Sequence, residues 1–248
     1  MNSSITDPQL QNWENFCRHH AIGDWHGTWS IYDLEGKLIR HFQCVRSFQV
    51  SADGNEVNHQ NHYTYPDGTT KTETFGPHKK PIIKSLHFND SFSWGSTEVK
   101  PETMFFFETG FKHGSQRRSA VARYNTDASL DIVIISEQLK SFAQEFSSLP
   151  INQLINWKGI VTEITPDWII SSAAETSWVQ LEELAKDYLT LHLNDNVSIS
   201  IPKQIDSNKE LFLATEWLVN PTLLLRGIRY FDTFGFRNFT LEVFNRQL

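Results

Sequence analysis

Apolar and polar residues alternate along most of this chain in short runs broken by turns, which predicts strands rather than helices. The exception comes first. Leu10, Trp13, Phe16 and Cys17 recur at helical spacing, so residues 8–20 are expected to form one amphipathic helix. Strands follow over 27–32, 38–50, 57–65 and 69–75. They are separated by Asp33-Leu34-Glu35-Gly36, Ala52-Asp53-Gly54-Asn55 and the hairpin signal Pro66-Asp67-Gly68. Further strands fit 85–94, 103–109, 117–124 and 131–139, giving about eight in the first half. At 140–149 the alternation stops, and Phe142 and Phe146 share a helical face until Pro150 ends it. The boundary between halves is placed here, at residues 148/149. A second series covers 159–164, 168–172, 176–180, 188–193, 197–202, 211–219, 223–231 and 239–244, with a helical turn at 181–185.

Closure of a long meander removes exposed strand edges, so the pattern favours barrels over a sandwich. The expected fold is all-β: two tandem lipocalin-like antiparallel barrels, residues 1–148 with a leading helix and residues 149–248 forming a smaller barrel. Trp25-His26-Gly27-Thr28-Trp29 resembles the entry signature of lipocalin-type barrels, and Trp157-Lys158-Gly159 echoes it 132 residues later. The resemblance implies that Trp29 plugs the closed end of its barrel beneath an arginine from a late strand, in a cation–π contact. Contact of Trp29 with a ligand is the alternative.

Composition narrows the partners. The 248-residue chain is 39% hydrophobic and 13% aromatic, enough for a substantial core. Its net charge of −7 argues against nucleic acid and anionic membranes. No apolar run approaches the ~20 residues of a membrane-spanning helix, and the polar first ten residues do not read as a secretion signal. Two cysteines, Cys17 and Cys44, fit reduced thiols in a cytoplasmic protein. Histidine spacing gives no metal set, and no phosphate-binding loop or nucleophile elbow occurs, so no cofactor is expected.

Several charged residues fall where an interior would be. Strand alternation puts Arg117 and Arg123 on one face and Arg118 and Tyr124 on the other, so at least one arginine points inward. Glu108, Glu137 or a ligand carboxylate would satisfy it. In the closing hairpin, Glu216, Arg226 and Tyr230 are expected to form a polar triad inside the second barrel. Glu216 and Tyr230 are the candidate proton donors. Arg118, Tyr124, Trp217, Arg226 and Arg229 are the candidate ligand contacts.

Two segments carry a family resemblance. Trp13-Glu14-Asn15-Phe16 leads into Trp25-His26-Gly27-Thr28-Trp29, and Phe105-Phe106-Phe107-Glu108-Thr109-Gly110 leads into Gly114-Ser115 and Arg117-Arg118. Over residues 10–140 the chain resembles a calycin-type family of cyanobacteria and plant plastids with a duplicated lipocalin-like barrel. The closing strands, with Glu216-Trp217, Asn220, Arg226 and Arg229-Tyr230, are similar in style to the bilin lyases of phycobiliproteins. Asn220 is followed by Pro-Thr-Leu-Leu-Leu rather than Asn-x-Arg-x-Arg, so that resemblance carries no lyase activity over. The function expected is binding of a hydrophobic small molecule of tetrapyrrole, fatty-acid or isoprenoid type, with a carboxylate, in a barrel interior. The alternatives are a cofactor-independent cyclase or isomerase, a chromophore lyase, or a scaffold for a protein partner.

Overall fold

The computed structural model describes residues 7–100, 102–142 and 157–246. The leading helix forms as the spacing predicts, in two geometries. Helix α1 spans Pro8–Asn15, capped by Asp7, whose carboxylate accepts from Gln9 N at 3.0 Å. A π-helical turn, Phe16–His20, continues it. Asn12 ties α1 down, donating to Ser85 O at 2.9 Å while its carbonyl accepts from His87 N at 2.7 Å. Trp13 and Phe16 are thereby seated on Val57 and Phe48.

The first sheet has ten strands: β1 Asp24–Tyr32, β2 Leu38–Val50, β3 Glu56–Thr64, β4 Thr70–Thr74, β5 His78–Lys79, β6 Ser85–His87, β7 Ser91–Gly95, β8 Phe105–His113, β9 Gln116–Tyr124 and β10 Leu130–Leu139. They pair in the order β4-β3-β2-β1-β10-β9-β8-β7-β6, with β5 on β3, and curl into a half-barrel. The β3–β4 turn is set by its residues. Asp67 accepts from Thr69 N at 2.9 Å, and Gly68 adopts φ +83°, which a side chain would oppose. The expected strand 85–94 is a tight hairpin instead, because Phe88 N bonds Ser91 O at 2.8 Å around Asn89-Asp90.

The second sheet has seven strands: β11 Trp157–Ile164, β12 Ala174–Ser177, β13 Leu189–His192, β14 Val197–Ile201, β15 Leu211–Asn220, β16 Leu223–Asp232 and β17 Gly235–Arg246. Their order is β12-β11-β17-β16-β15-β14-β13. A single helical turn, α2 Leu181–Leu184, lies where expected. Residues 168–172 form only an isolated bridge, Ile164↔Ile170, with Trp168 at φ +61°. Lys140 sits at φ +71° and does not start a helix; the rest of the expected 140–149 helix, and the boundary at 148/149, lie outside the described residues.

The fold is all-β and two-part, with a short N-terminal helix. The sheets also share a core. Phe105, Phe107, Ile132 and Ile134 of the first pack with Leu213, Trp217, Phe231 and Phe239 of the second. Each such side chain contributes about 1.5–3 kcal/mol on burial. Polar pins cross the same interface: Tyr124 donates to Pro202 O at 2.7 Å, Ser136 bonds Asp195, and Arg229 donates to Ser93 at 3.1 Å. Among the described residues no helix is long and apolar enough to cross a membrane.

Candidate functional site

Alternation along β1, β2 and β3 turns Trp25, Gly27 and Trp29, Cys44, Arg46 and Phe48, and His59, Asn61 and Tyr63 to the inside of the half-barrel. Strands β8, β9 and β10 add Glu108, Arg117, Ser119 and Glu137. At its centre lies a buried set of two arginines and two glutamates. Arg117 Nε donates to Glu137 at 2.6 Å, and Arg46 bridges Glu108 at 3.3 Å and Glu137 at 3.4 Å. Glu108 also accepts from Trp94 Nε1 at 2.6 Å and from Ser119 at 2.8 Å. Burial alone would raise the Glu137 carboxyl, but Arg117 and Arg46 outweigh it and hold the group below the usual carboxylate range. Of the two faces the sequence left open for β9, the one carrying Arg117 looks into the half-barrel.

The glycine of the entry signature makes room for this set. A Cβ on Gly27 would lie 2.5 Å from Glu137 Cγ and 2.8 Å from Ser136 O. The arginine-capped plug is Trp25 rather than Trp29. Trp25 is fully buried, with the Arg117 guanidinium 4.3 Å from its ring centre. Trp29 is half-buried higher up, beside Phe42 and Tyr63, with Arg46 5.2 Å from its ring centre. The difference is one of register: Trp25 stands opposite Leu139 at the end of β10 that adjoins Arg117, and Trp29 stands two inward positions away.

A chain of side chains runs along the inner face of β3. His78 and His59 share a hydrogen bond at 3.2 Å, His59 Nε2 lies 3.0 Å from Asn61 Oδ1, and Asn61 donates to the Tyr63 hydroxyl at 2.9 Å. Burial, then the charge of Arg46, pushes His59 down to about 2. Burial pushes His20, beneath the plug, down to about 3. The two thiols are unpaired with each other, and burial pushes Cys17 up to about 11 and Cys44 up to about 12.

The seven residues singled out in the second half and on β9 fall on two sides of the second sheet. Glu216, Arg226 and Tyr230 share the face covered by Trp178 and α2. Arg226 Nε donates to Glu216 at 2.6 Å and Nη1 to Glu242 at 3.3 Å, while Trp178 Nε1 donates to Glu216 at 3.1 Å. Here one arginine serves two carboxylates. Burial, only partly offset by Arg226, raises both Glu216 and Glu242. Burial and the nearby Glu242 raise the Tyr230 phenol. Trp217 and Arg229 point the opposite way, into the core between the sheets, where Arg118 and Tyr124 meet them. Arg118 lies 5.6 Å from the Trp217 ring centre and donates to Arg117 O and Glu137 O at 2.9 and 3.2 Å. Arg229 bonds Ser93 and Ser96 O and lies 4.2 Å from the Phe236 ring centre; burial pushes it down to about 9.

Fold and clusters together define a two-part β-barrel protein with a charged, aromatic-walled interior in its first half. By sequence the chain belongs to the family described as "Domain of unknown function (DUF3598), N-terminal", which matches residues 9–142. Residues 169–241 match a second family, "Biogenesis factor required for ATP synthase 1, C-terminal domain". Among solved structures, the chain is similar to a DUF3598-family protein of unknown function from the cyanobacterium Nostoc punctiforme. They share 21% identity and a TM-score of 0.77, over 95% of this chain and 99% of that one, which establishes the fold. Kievitone hydratase from Nectria haematococca aligns over 94% of this chain and 92% of that one. Its 8% identity and TM-score of 0.25 support no comparison of sites. None of these is a bilin lyase, and no curated protein matched the chain.

Proposed function

We propose that this chain binds a hydrophobic small molecule inside its first half, as a cytoplasmic protein. The observation that carries this reading is a group of buried polar atoms without hydrogen-bond partners at the centre of the aromatic interior: Trp29 Nε1, Arg46 Nε and Glu137 Oε1. Leaving such groups unsatisfied costs about 1–3 kcal/mol each, so an apolar site carrying several suits a ligand with a polar end. Tetrapyrrole, fatty-acid and isoprenoid bodies all fit walls of this kind. The test is organic extraction of the protein purified from its native source, followed by mass spectrometry. A stoichiometric apolar compound supports the reading, and an extract no richer than that of an unrelated protein counts against it.

Catalysis with Glu216 and Tyr230 as proton donors is a separate proposal that needs its own site on the second sheet, beneath Trp178 and α2, and it rests on the raised Glu216 carboxyl. Full turnover of the co-purified compound by a folded Glu216→Gln variant would dismiss it. A second reading comes from the match of residues 169–241 to the C-terminal domain of an ATP synthase biogenesis factor. In it, the second half docks a subunit of that enzyme during its assembly. Capture of ATP synthase subunits by the tagged full chain, weakened by Ile160→Glu on the exposed side of β11 but kept by Ile39→Glu on the exposed side of β2, would favour it; recovery of none would set it aside.

A further inference from the structure

Among the buried polar atoms of the first half that make no hydrogen bond, three stand around Arg46 and differ in kind. Trp29 Nε1 and Arg46 Nε are donors and Glu137 Oε1 is an acceptor. Arg46 Nε and Glu137 Oε1 stand 3.4 Å apart, attracted as an ion pair yet unaligned for a hydrogen bond, and the Arg46 guanidinium overlies the Trp29 ring. All three therefore border one small region. The charges around it already cancel: Arg46 and Arg117 balance Glu108 and Glu137. A carboxylate placed there would add an uncompensated buried negative charge beside Glu137, an arrangement that is strongly unfavourable. A carbonyl would satisfy the two donors and leave Glu137 Oε1 unmet. A hydroxyl satisfies all three, because its oxygen accepts from the donors while its own proton goes to the carboxylate.

We infer that the polar end of the ligand is a hydroxyl, held between Trp29, Arg46 and Glu137, and that the first half selects apolar alcohols over the corresponding acids. This rests on the binding function proposed above. It replaces the carboxylate expected from the sequence, where the pairing of a β9 arginine with Glu108 or Glu137 was foreseen but Arg46, which completes the charge balance, was not.

Retinol, retinal and retinoic acid share one apolar body and differ only at the polar end, so they serve as probes, read by quenching of tryptophan emission. The expected order is alcohol, then aldehyde, then acid, with retinol bound about tenfold or more tighter than the acid. Trp29→Phe keeps the ring against Phe42 and Tyr63 but removes the donor. It should weaken retinol severalfold, leave the acid nearly unchanged and so narrow the ratio. Near-ultraviolet circular dichroism confirms that the variant is folded. Retinoic acid binding as tightly as retinol, or an unchanged ratio in Trp29→Phe, would overturn the hydroxyl site while leaving ligand binding standing. Failure of all three probes to quench would overturn both, leaving the region to a bound water.

Discussion

The two halves open on the same Trp-x-Gly and use it differently. Gly27 faces Glu137 across β1 and β10, and Gly159 faces Phe244 across β11 and β17. In the first half, the space a side chain would occupy is taken by the Glu137 stem, which carries a carboxylate to Arg117 and Arg46. In the second it is taken by the Phe244 ring, 2.4 Å from where a Cβ would lie, in an apolar cluster with Trp157, Leu218 and Leu224. One half thus has an interior that is charged but neutral overall. The other has an apolar base and, next to it, two glutamates sharing one arginine. The entry motif sets where the chain packs closely, and the residue opposite it decides the chemistry.

Removing one carboxylate from each cluster gives the largest expected contrast. Glu137→Gln leaves Arg117 and Arg46 with too little negative charge in a fully buried site, and should cost about 3–5 kcal/mol in urea unfolding. Glu242→Gln relieves the excess acid around Arg226 and keeps an acceptor, so its effect should stay within about 0.5 kcal/mol. Equal losses would show that the two clusters are not different in kind.

Next come the glycines. Gly27→Ala meets the backbone oxygen of Ser136 as well as Glu137, and should cost about 1–3 kcal/mol. Gly159→Ala meets only side chains, the Phe244 ring and the Thr176 methyl, which can shift. It should cost less, and thermal melts of the two variants would rank them.

The smallest effect is that of Glu242→Gln on the pH profile, in which the two halves should pull in opposite directions. His20 and His59 are held neutral at about 3 and about 2 against an ordinary 6.5. The unfolded chain therefore binds more protons below 6.5, and stability falls as pH drops from there. Glu137, held low, adds to the loss once pH falls below the ordinary 4.5. Glu216 and Glu242 are held high, so the folded chain binds more protons between 4.5 and their raised values, and stability falls as pH rises through that window. Urea midpoints from pH 4 to 8 should fall steeply on the acid side. Glu242→Gln should flatten only the decline above 4.5.

Long strands with clear turns were legible in the sequence. The expected 38–50 strand is β2 to the residue, and Pro66-Asp67-Gly68 makes the hairpin it signals. Alternation showed that a β9 arginine must point inward, and Glu137 was one of three partners left open for it, beside Glu108 and a ligand carboxylate. Arg46 was passed over, although alternation puts it on the apolar face of β2 with Phe42, Cys44 and Phe48, where a lone charge signals a buried partner. The site between Trp29, Arg46 and Glu137 joins residues up to 108 positions apart through sheet register, which one sequence does not encode locally. The contact of Arg229 with Ser93, 136 positions apart, was hidden for the same reason. Strand alternation turns Arg229 and Trp217 away from Glu216 and Arg226, their neighbours in sequence.

The proposed ligand occupies the first half, between β1, β2, β3 and β10. Hydrogen exchange with and without saturating retinol tests it directly. Exchange should slow along β1, β2, β3 and β10, around Trp29, Arg46, Tyr63 and Glu137, with β15 and β16 unchanged. Protection confined to β15 and β16, around Glu216 and Arg226, would contradict it.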